Sequence, residues 1–120
     1  YKSASSISVL SDRERKNSIE EIDDRYSLLF DRIKPKRFKY NDGTSGRYHT
    51  GFIAQEVKEA MDIAGIDTKE FAALCYDTDE NGELSGWSLR YDEFIALHTM
   101  EIQNLKAEIK SLKEQIGGSR

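Results

Sequence analysis

Ser11 and Lys16 stand five residues apart in Leu10-Ser11-Asp12-Arg13-Glu14-Arg15-Lys16, with four charged residues between them. A serine hydroxyl becomes a useful nucleophile when a nearby base takes its proton. A lysine serves as that base where burial or neighbouring cations favour its neutral amine. Arg13 and Arg15 act in that direction and Asp12 and Glu14 against it. A tight turn over residues 11–16 would bring the two side chains together. On its own the stretch reads better as a solvated loop or a helix start, so its chemistry depends on what surrounds it.

The elements that must position it are readable in outline. Residues 1–10 hold four serines and alternate loosely between polar and apolar types, as an extended tail or the last strand of an upstream module does. Ser18-Ile19-Glu20-Glu21 fits a capping box and predicts a helix start at Ser18. Ile19, Ile22, Tyr26, Leu29, Phe30 and Ile33 recur at helical spacing, and Pro35 ends the run. Lys36 to Tyr40 alternates as a strand, Asn41-Asp42-Gly43 is a turn, and Arg47 to Phe52 is the returning strand. A second helix is expected over Ala54 to Ala64, with Gly65 as its stop. Phe71 to Tyr76 and Trp87 to Tyr91 read as a hairpin closed at Asn81-Gly82.

The last third carries a heptad seam. With Ile102 at position a, the register runs Ile102, Leu105, Ile109, Leu112, Ile116 over alternating a and d positions. Glu101 and Glu108 fall at g and Lys106 and Lys113 at e, a pattern that pairs parallel, in-register chains. A helix from about Tyr91 to Ile116 would be roughly 39 Å long, more than a small domain needs. The alternative is an amphipathic helix packed on its own domain. His98 at d would bring an imidazole to the coil axis or mark the frayed start of the coil. Gly117 to Arg120 reads as a flexible tail.

Composition narrows the function. The chain has 120 residues, 33% charged and 38% hydrophobic. That is one domain with a modest core, some of whose burial is expected from other copies. A net charge of −4 argues against nucleic acid and anionic lipid as partners. No apolar run is long enough to span a membrane. The lone Cys75 cannot form an internal disulfide and reads as a small buried hydrophobe. Asp77-x-Asp79-x-Asn81-Gly82 opens like a calcium loop, but Ser88 stands where the bidentate glutamate belongs, so a hairpin turn is expected and no metal or cofactor. The cations Arg32, Lys34, Lys36, Arg37 and Lys39 read as a helix end and a lysine-guarded edge strand. His49 fits either a structural role or a cleavage site. The chain opens on Tyr1 and reads as a piece of a longer polypeptide.

Taken together, these blocks resemble a known family. Ser11-Asp12-Arg13-x-x-Lys16, Asn17-Ser18-Ile19, Ile33-Lys34-Pro35-x-Arg37-Phe38-x-Tyr40, His49 to Val57, Leu89-x-Tyr91-Asp92-x-x-Ile95-Ala96-Leu97 and the final seam follow one another as in the self-cleaving intramolecular chaperone domain of phage endosialidases, tail fibres and neck appendages. A similar autocleavage domain occurs in an animal membrane-tethered transcription factor. The resemblance covers residues 11 to about 116. It implies an α+β fold, a small helix-and-sheet domain with a long C-terminal coiled-coil helix (about 91–116), intertwined as a homotrimer. It implies that residues 1–10 are the end of an upstream fibre or stalk, which the trimer aligns and then releases by cutting the Leu10–Ser11 bond. Ser11 would be the nucleophile and Lys16 its base, with Asp12, His49 and Gln55 as supporting residues. The partners implied are two further copies and the upstream fibre segment, in the host cytoplasm during phage assembly, with the fibre then carried in the virion. Ile at a with Leu at d favours dimers in model coils, against the trimer that the resemblance implies. A non-proteolytic trimerisation module, or the transcription-factor domain, are the other readings the residues allow.

Overall fold

The computed structural model describes residues 8–118. Residues 1–7 of the expected stalk segment, and Ser119 and Arg120 of the expected tail, lie outside the described residues. A single 3-10 turn, Arg13–Arg15, comes first. Then follow α1 (Asp24–Arg32), β1 (Lys36–Phe38), β2 (His49–Gly51), α2 (Ala54–Ala64), β3 (Leu74–Thr78), β4 (Leu84–Leu89) and α3 (Ile95–Gly118). Two antiparallel hairpins, β1–β2 and β3–β4, replace any larger sheet among the described residues.

The first helix does not start at Ser18. Ser18 adopts a left-handed backbone, φ 52°, and its hydroxyl donates to Asn17 Oδ1 at 2.9 Å instead of capping a helix. Ile19 and Ile22 therefore stay outside the helix and exposed. The cap is Asp23, whose carboxylate accepts from the Arg25 N–H. A complete capping box forms elsewhere, between Asp67 and Glu70. Arg25 links the two sites. Its guanidinium donates to Asp23, to Glu70 and to the Gly65 carbonyl. A bidentate-capable guanidinium makes such a link stronger than a lone ammonium would.

This node has a pH signature. Hydrogen bonds from Arg25 hold both carboxyls below their ordinary range, and Glu70 also accepts from the Asp67 N–H. A carboxylate depressed in the folded state adds stability above its unfolded pKa of about 4 and loses it as pH falls through the folded value. Stability should therefore drop in acid. In Arg25→Met the drop should be shallower, as read by urea midpoints between about pH 2 and pH 6. Identical slopes for the two proteins would remove Arg25 from this role.

Helix α2 spans the expected residues, and Gly65 ends it in the left-handed region at φ 76°. Val57, Ala60, Met61 and Ala64 from α2 meet Leu29 and Ile33 from the α1 side, Ile66, Phe71, Ala73 and Leu74, and Phe94 and Leu97 at the base of α3. Phe94 is the centre. Its ring lies 5.1 Å from Phe52 and 5.4 Å, edge-on, from Phe71. The hairpins are displaced from their expected spans. β1–β2 pairs only Lys36–Phe38 with His49–Gly51. β3–β4 runs further toward the turn because Asp79 accepts from the Asn81 and Glu83 N–H groups and closes the loop through its own side chain. Cys75 is only half-buried, on β3.

Tyr91 fastens the β1–β2 hairpin to the core. Its hydroxyl accepts from the Phe52 N–H at 3.1 Å and donates to the Phe52 carbonyl at 3.2 Å. Gly51 leaves room for that ring: a Cβ there would collide with the Tyr91 hydroxyl and lie 2.9 Å from its Cζ. Gly51→Ala should cost about 1–3 kcal/mol, seen as a lower urea midpoint. A midpoint equal to wild type would mean the ring moves freely and is no fastener.

The long C-terminal helix exists, and its apolar seam beyond Met100 is exposed. Beyond Met100 every α3 residue through Gly117 is exposed apart from the half-buried Glu101. Ile102, Leu105, Ile109, Leu112 and Ile116 are between 52% and 72% exposed. Packing on its own domain is thus not what the seam does. His98 differs from the axial placement expected of a d residue. Its ring meets Phe30 of α1 edge-on at 5.5 Å, because the first turns of α3 still belong to the globular core.

Candidate active site

The turn expected between Ser11 and Lys16 is present. Asp12 extends its backbone and accepts the Glu14 N–H on its carboxylate at 2.9 Å. The Arg15 and Lys16 N–H groups close onto the Asp12 and Arg13 carbonyls at 3.0 and 3.1 Å. A short polar side chain at this position competes well for such local bonds. One tight turn folds the five-residue spacing back on itself, and Lys16 Nζ donates to Ser11 Oγ at 2.8 Å. That is hydrogen-bond reach for proton transfer between a nucleophile and its base.

Everything around this pair is open. Residues 8–23 are exposed, and Leu10, whose carbonyl precedes Ser11, is 70% exposed. The segment brings a hydroxyl and an amine together beside the Leu10–Ser11 bond, with its described residues exposed to water. Asp12 caps the turn that brings the two side chains together. Among the described residues no hydrogen bond joins His49 or Gln55 to the pair. His49 instead packs against Phe38 and Tyr40, 4.8 Å from the Tyr40 ring. Gln55, in the first turn of α2, borders a groove of Phe38, Phe52, Trp87, Leu89 and Tyr91. The sequence could not have placed these, because their position depends on how two hairpins meet α2. Ile53 leaves the start of α2 without a side-chain cap. Among the described residues no group of three or more His, Cys, Asp or Glu is arranged to hold a metal, and no helix is long and apolar enough to cross a membrane.

Residues 11–66, which begin at this serine, match the family described as the chaperone of endosialidase. Over these residues, just under half of its length, the chain resembles that family. The capsule K3-specific depolymerase 1 of Klebsiella phage KP32 is 28% identical over 105 residues, 83% of this chain and 11% of the relative. The tail spike protein of Escherichia virus K5 is 30% identical over 110 residues, 80% of this chain and 16% of the relative. The chain thus spans only a small part of the length of those curated relatives. Solved structures share the fold. One, titled as a novel intramolecular chaperone, superposes with a TM-score of 0.60 at 22% identity, covering 84% of this chain and 99% of its own. The carboxy-terminal domain of the bacteriophage T5 L-shaped tail fibre, with its intramolecular chaperone domain, gives 0.62 at 17% identity, covering 98% and 34%.

Proposed function

We propose that residues 11–116 form an intramolecular chaperone that trimerises, aligns an upstream β-rich fibre or tailspike, and then releases it by autoproteolysis at Leu10–Ser11. Residues 1–10 are then the end of the fibre and residues 117–120 a tail. Assembly takes place in the host cytoplasm, and the fibre alone goes on to the virion. The observation that carries the reading is the 2.8 Å contact between Lys16 Nζ and Ser11 Oγ, next to the Leu10–Ser11 bond, at the start of the stretch that matches this family.

The chemistry is a single acyl transfer followed by hydrolysis. Neutral Lys16 takes the Ser11 Oγ proton while Oγ attacks the Leu10 carbonyl carbon. The C–N bond breaks, the Ser11 nitrogen takes a proton and becomes a free amine, and Leu10 is held as an ester on Oγ. Water then cleaves the ester, leaving a Leu10 carboxylate. Contacts with neighbouring protomers close the pair off from water. Donors ordered by the same contacts stabilise the oxyanion. Cleavage thereby waits for assembly.

Trimerisation has its own support in the unpartnered a/d seam. Intertwined β-structure forms slowly, because non-local pairings must close before they are rewarded. Three coil strands raise the local concentration of the segments to be paired and set their stagger. Removing the module afterwards closes the route back, so the fibre's stability becomes kinetic. Purified protein should contain a species whose first residue is Ser11, running in light scattering as three chains. An intact monomer throughout would defeat the proposal.

A further inference from the structure

The two hairpins carry opposite and unspent charge. The segment around β1–β2 holds Lys34, Lys36, Arg37, Lys39 and Arg47 against a single carboxylate, Asp42. The β3–β4 hairpin holds Asp77, Asp79, Glu80 and Glu83 and no lysine or arginine. All of these side chains are exposed. Among the described residues the salt bridges are Arg25 with Asp23 and Glu70, and Lys58 with Asp62. None joins one hairpin to the other. On the basic arm Arg37 lies 4.0 Å and Lys39 4.9 Å from the centre of the Tyr48 ring, so the cations are gathered on an aromatic face. Tyr40 and Tyr48 are more than half exposed there, as are Tyr76 and Leu84 on the acidic arm. Tyrosine and arginine over an apolar patch, ringed by charge, are the composition of a protein interface.

We infer that the basic β1–β2 arm of one chain docks on the acidic β3–β4 hairpin of a second copy, head to tail, so that three such contacts close a ring around the coil. The contact is heterologous: each protomer offers one arm to each neighbour, and a threefold rotation satisfies all of them. A second copy fits better than a polyanion, because the complementary surface is in the same chain, and the net charge of −4 repels nucleic acid. The consequence is directional. A coil seam alone sets how many chains meet and their stagger. Opposed arms also set which side of each globular domain faces its neighbour, and like-charged encounters are disfavoured.

The inference rests on the trimer reading, and the test separates the two. The full chain is compared with a basic-arm reversal (Lys36→Glu, Arg37→Glu, Lys39→Glu), an acidic-arm reversal (Asp77→Lys, Glu80→Lys, Glu83→Lys) and the chain carrying all six. Asp79 is left alone because it holds the turn. Circular dichroism confirms that each folds, and light scattering over a dilution series at low and high salt reads assembly. Each single reversal should shift trimer dissociation to at least about tenfold higher protein concentration. The six-fold swap should restore it to near wild type. A wild-type monomer at every concentration defeats the trimer reading and this inference with it. A wild-type trimer that ignores both reversals defeats the inference alone. Weakening by the basic reversal without rescue by the swap means that the basic arm meets some other surface, and overturns the assignment.

Discussion

Lys16→Arg is expected to abolish release of residues 1–10, although it keeps the positive charge and the length of the side chain. A guanidinium stays protonated at any pH the fold tolerates, so it cannot take the Ser11 proton. Lys16→Met should fail for the simpler reason that it has no basic atom. Loss of a positioned general base costs about a hundredfold or more. The comparison is made across roughly pH 6 to 9, and neither variant should cut at any point in it. The turn should survive both changes, since it is closed by Asp12 and backbone bonds and not by the lysine amine. Gel quantification of cleaved chain against time checks this. Arginine cleaving at the wild-type rate would show that Lys16 does no more than hold Ser11 in place. A peptide of residues 5–20 should be inert across the same range, because the 2.8 Å pair would lack the walls and oxyanion donors that neighbours supply.

The second large effect lies in the seam. Leu105→Asp together with Ile109→Asp places two carboxylates per chain on the proposed coil axis, at a cost of roughly several kcal/mol per buried ion. In an isolated chain both positions face water, at 55% and 52% exposure, so the globular fold should be unharmed. Light scattering should fall from three chains toward one, with near-native circular dichroism. Cleavage should fall too, because the pair would lose the surroundings that neighbours provide. A full-size trimer would show that the seam is not what holds the chains together. A monomer that still cuts itself would separate the chemistry from assembly.

Where the sequence was legible, the cause was local. The span of α2 follows from its apolar spacing and Gly65. The Ser11–Lys16 turn follows from Asp12 and a five-residue spacing. The seam of α3 is visible because no tertiary contact competes with its heptads. Where it was misread, a distant partner had decided the outcome. Ser18 to Glu21 has the letters of a capping box, yet the helix starts at Asp23, because Arg25 ties that cap to Glu70, 45 residues away. Ile19 and Ile22 kept the helical spacing without the helix. His98 has a coil position by register, and its exposed ring meets Phe30 of α1 edge-on. His49 and Gln55 could be named from the family resemblance. Their separation from the Ser11–Lys16 pair by any hydrogen bond could be seen only in the fold. The Tyr91–Phe52 fastening, and the glycine that admits it, left no periodic trace at all.

The central claim is that Ser11 Oγ, activated by Lys16, breaks the Leu10–Ser11 bond through an ester. It is tested most directly by intact-mass spectrometry of the assembled protein, wild type and Ser11→Ala side by side, with and without hydroxylamine. The wild type should yield a product beginning at Ser11. Hydroxylamine, which intercepts esters, should speed its release and convert Leu10 to a hydroxamate. Ser11→Ala should form the same trimer, since removing an exposed hydroxyl changes stability by no more than about 0.5 kcal/mol, and should stay uncut. An alanine protein that still parts between residues 10 and 11, or a wild type that never does, would contradict the account.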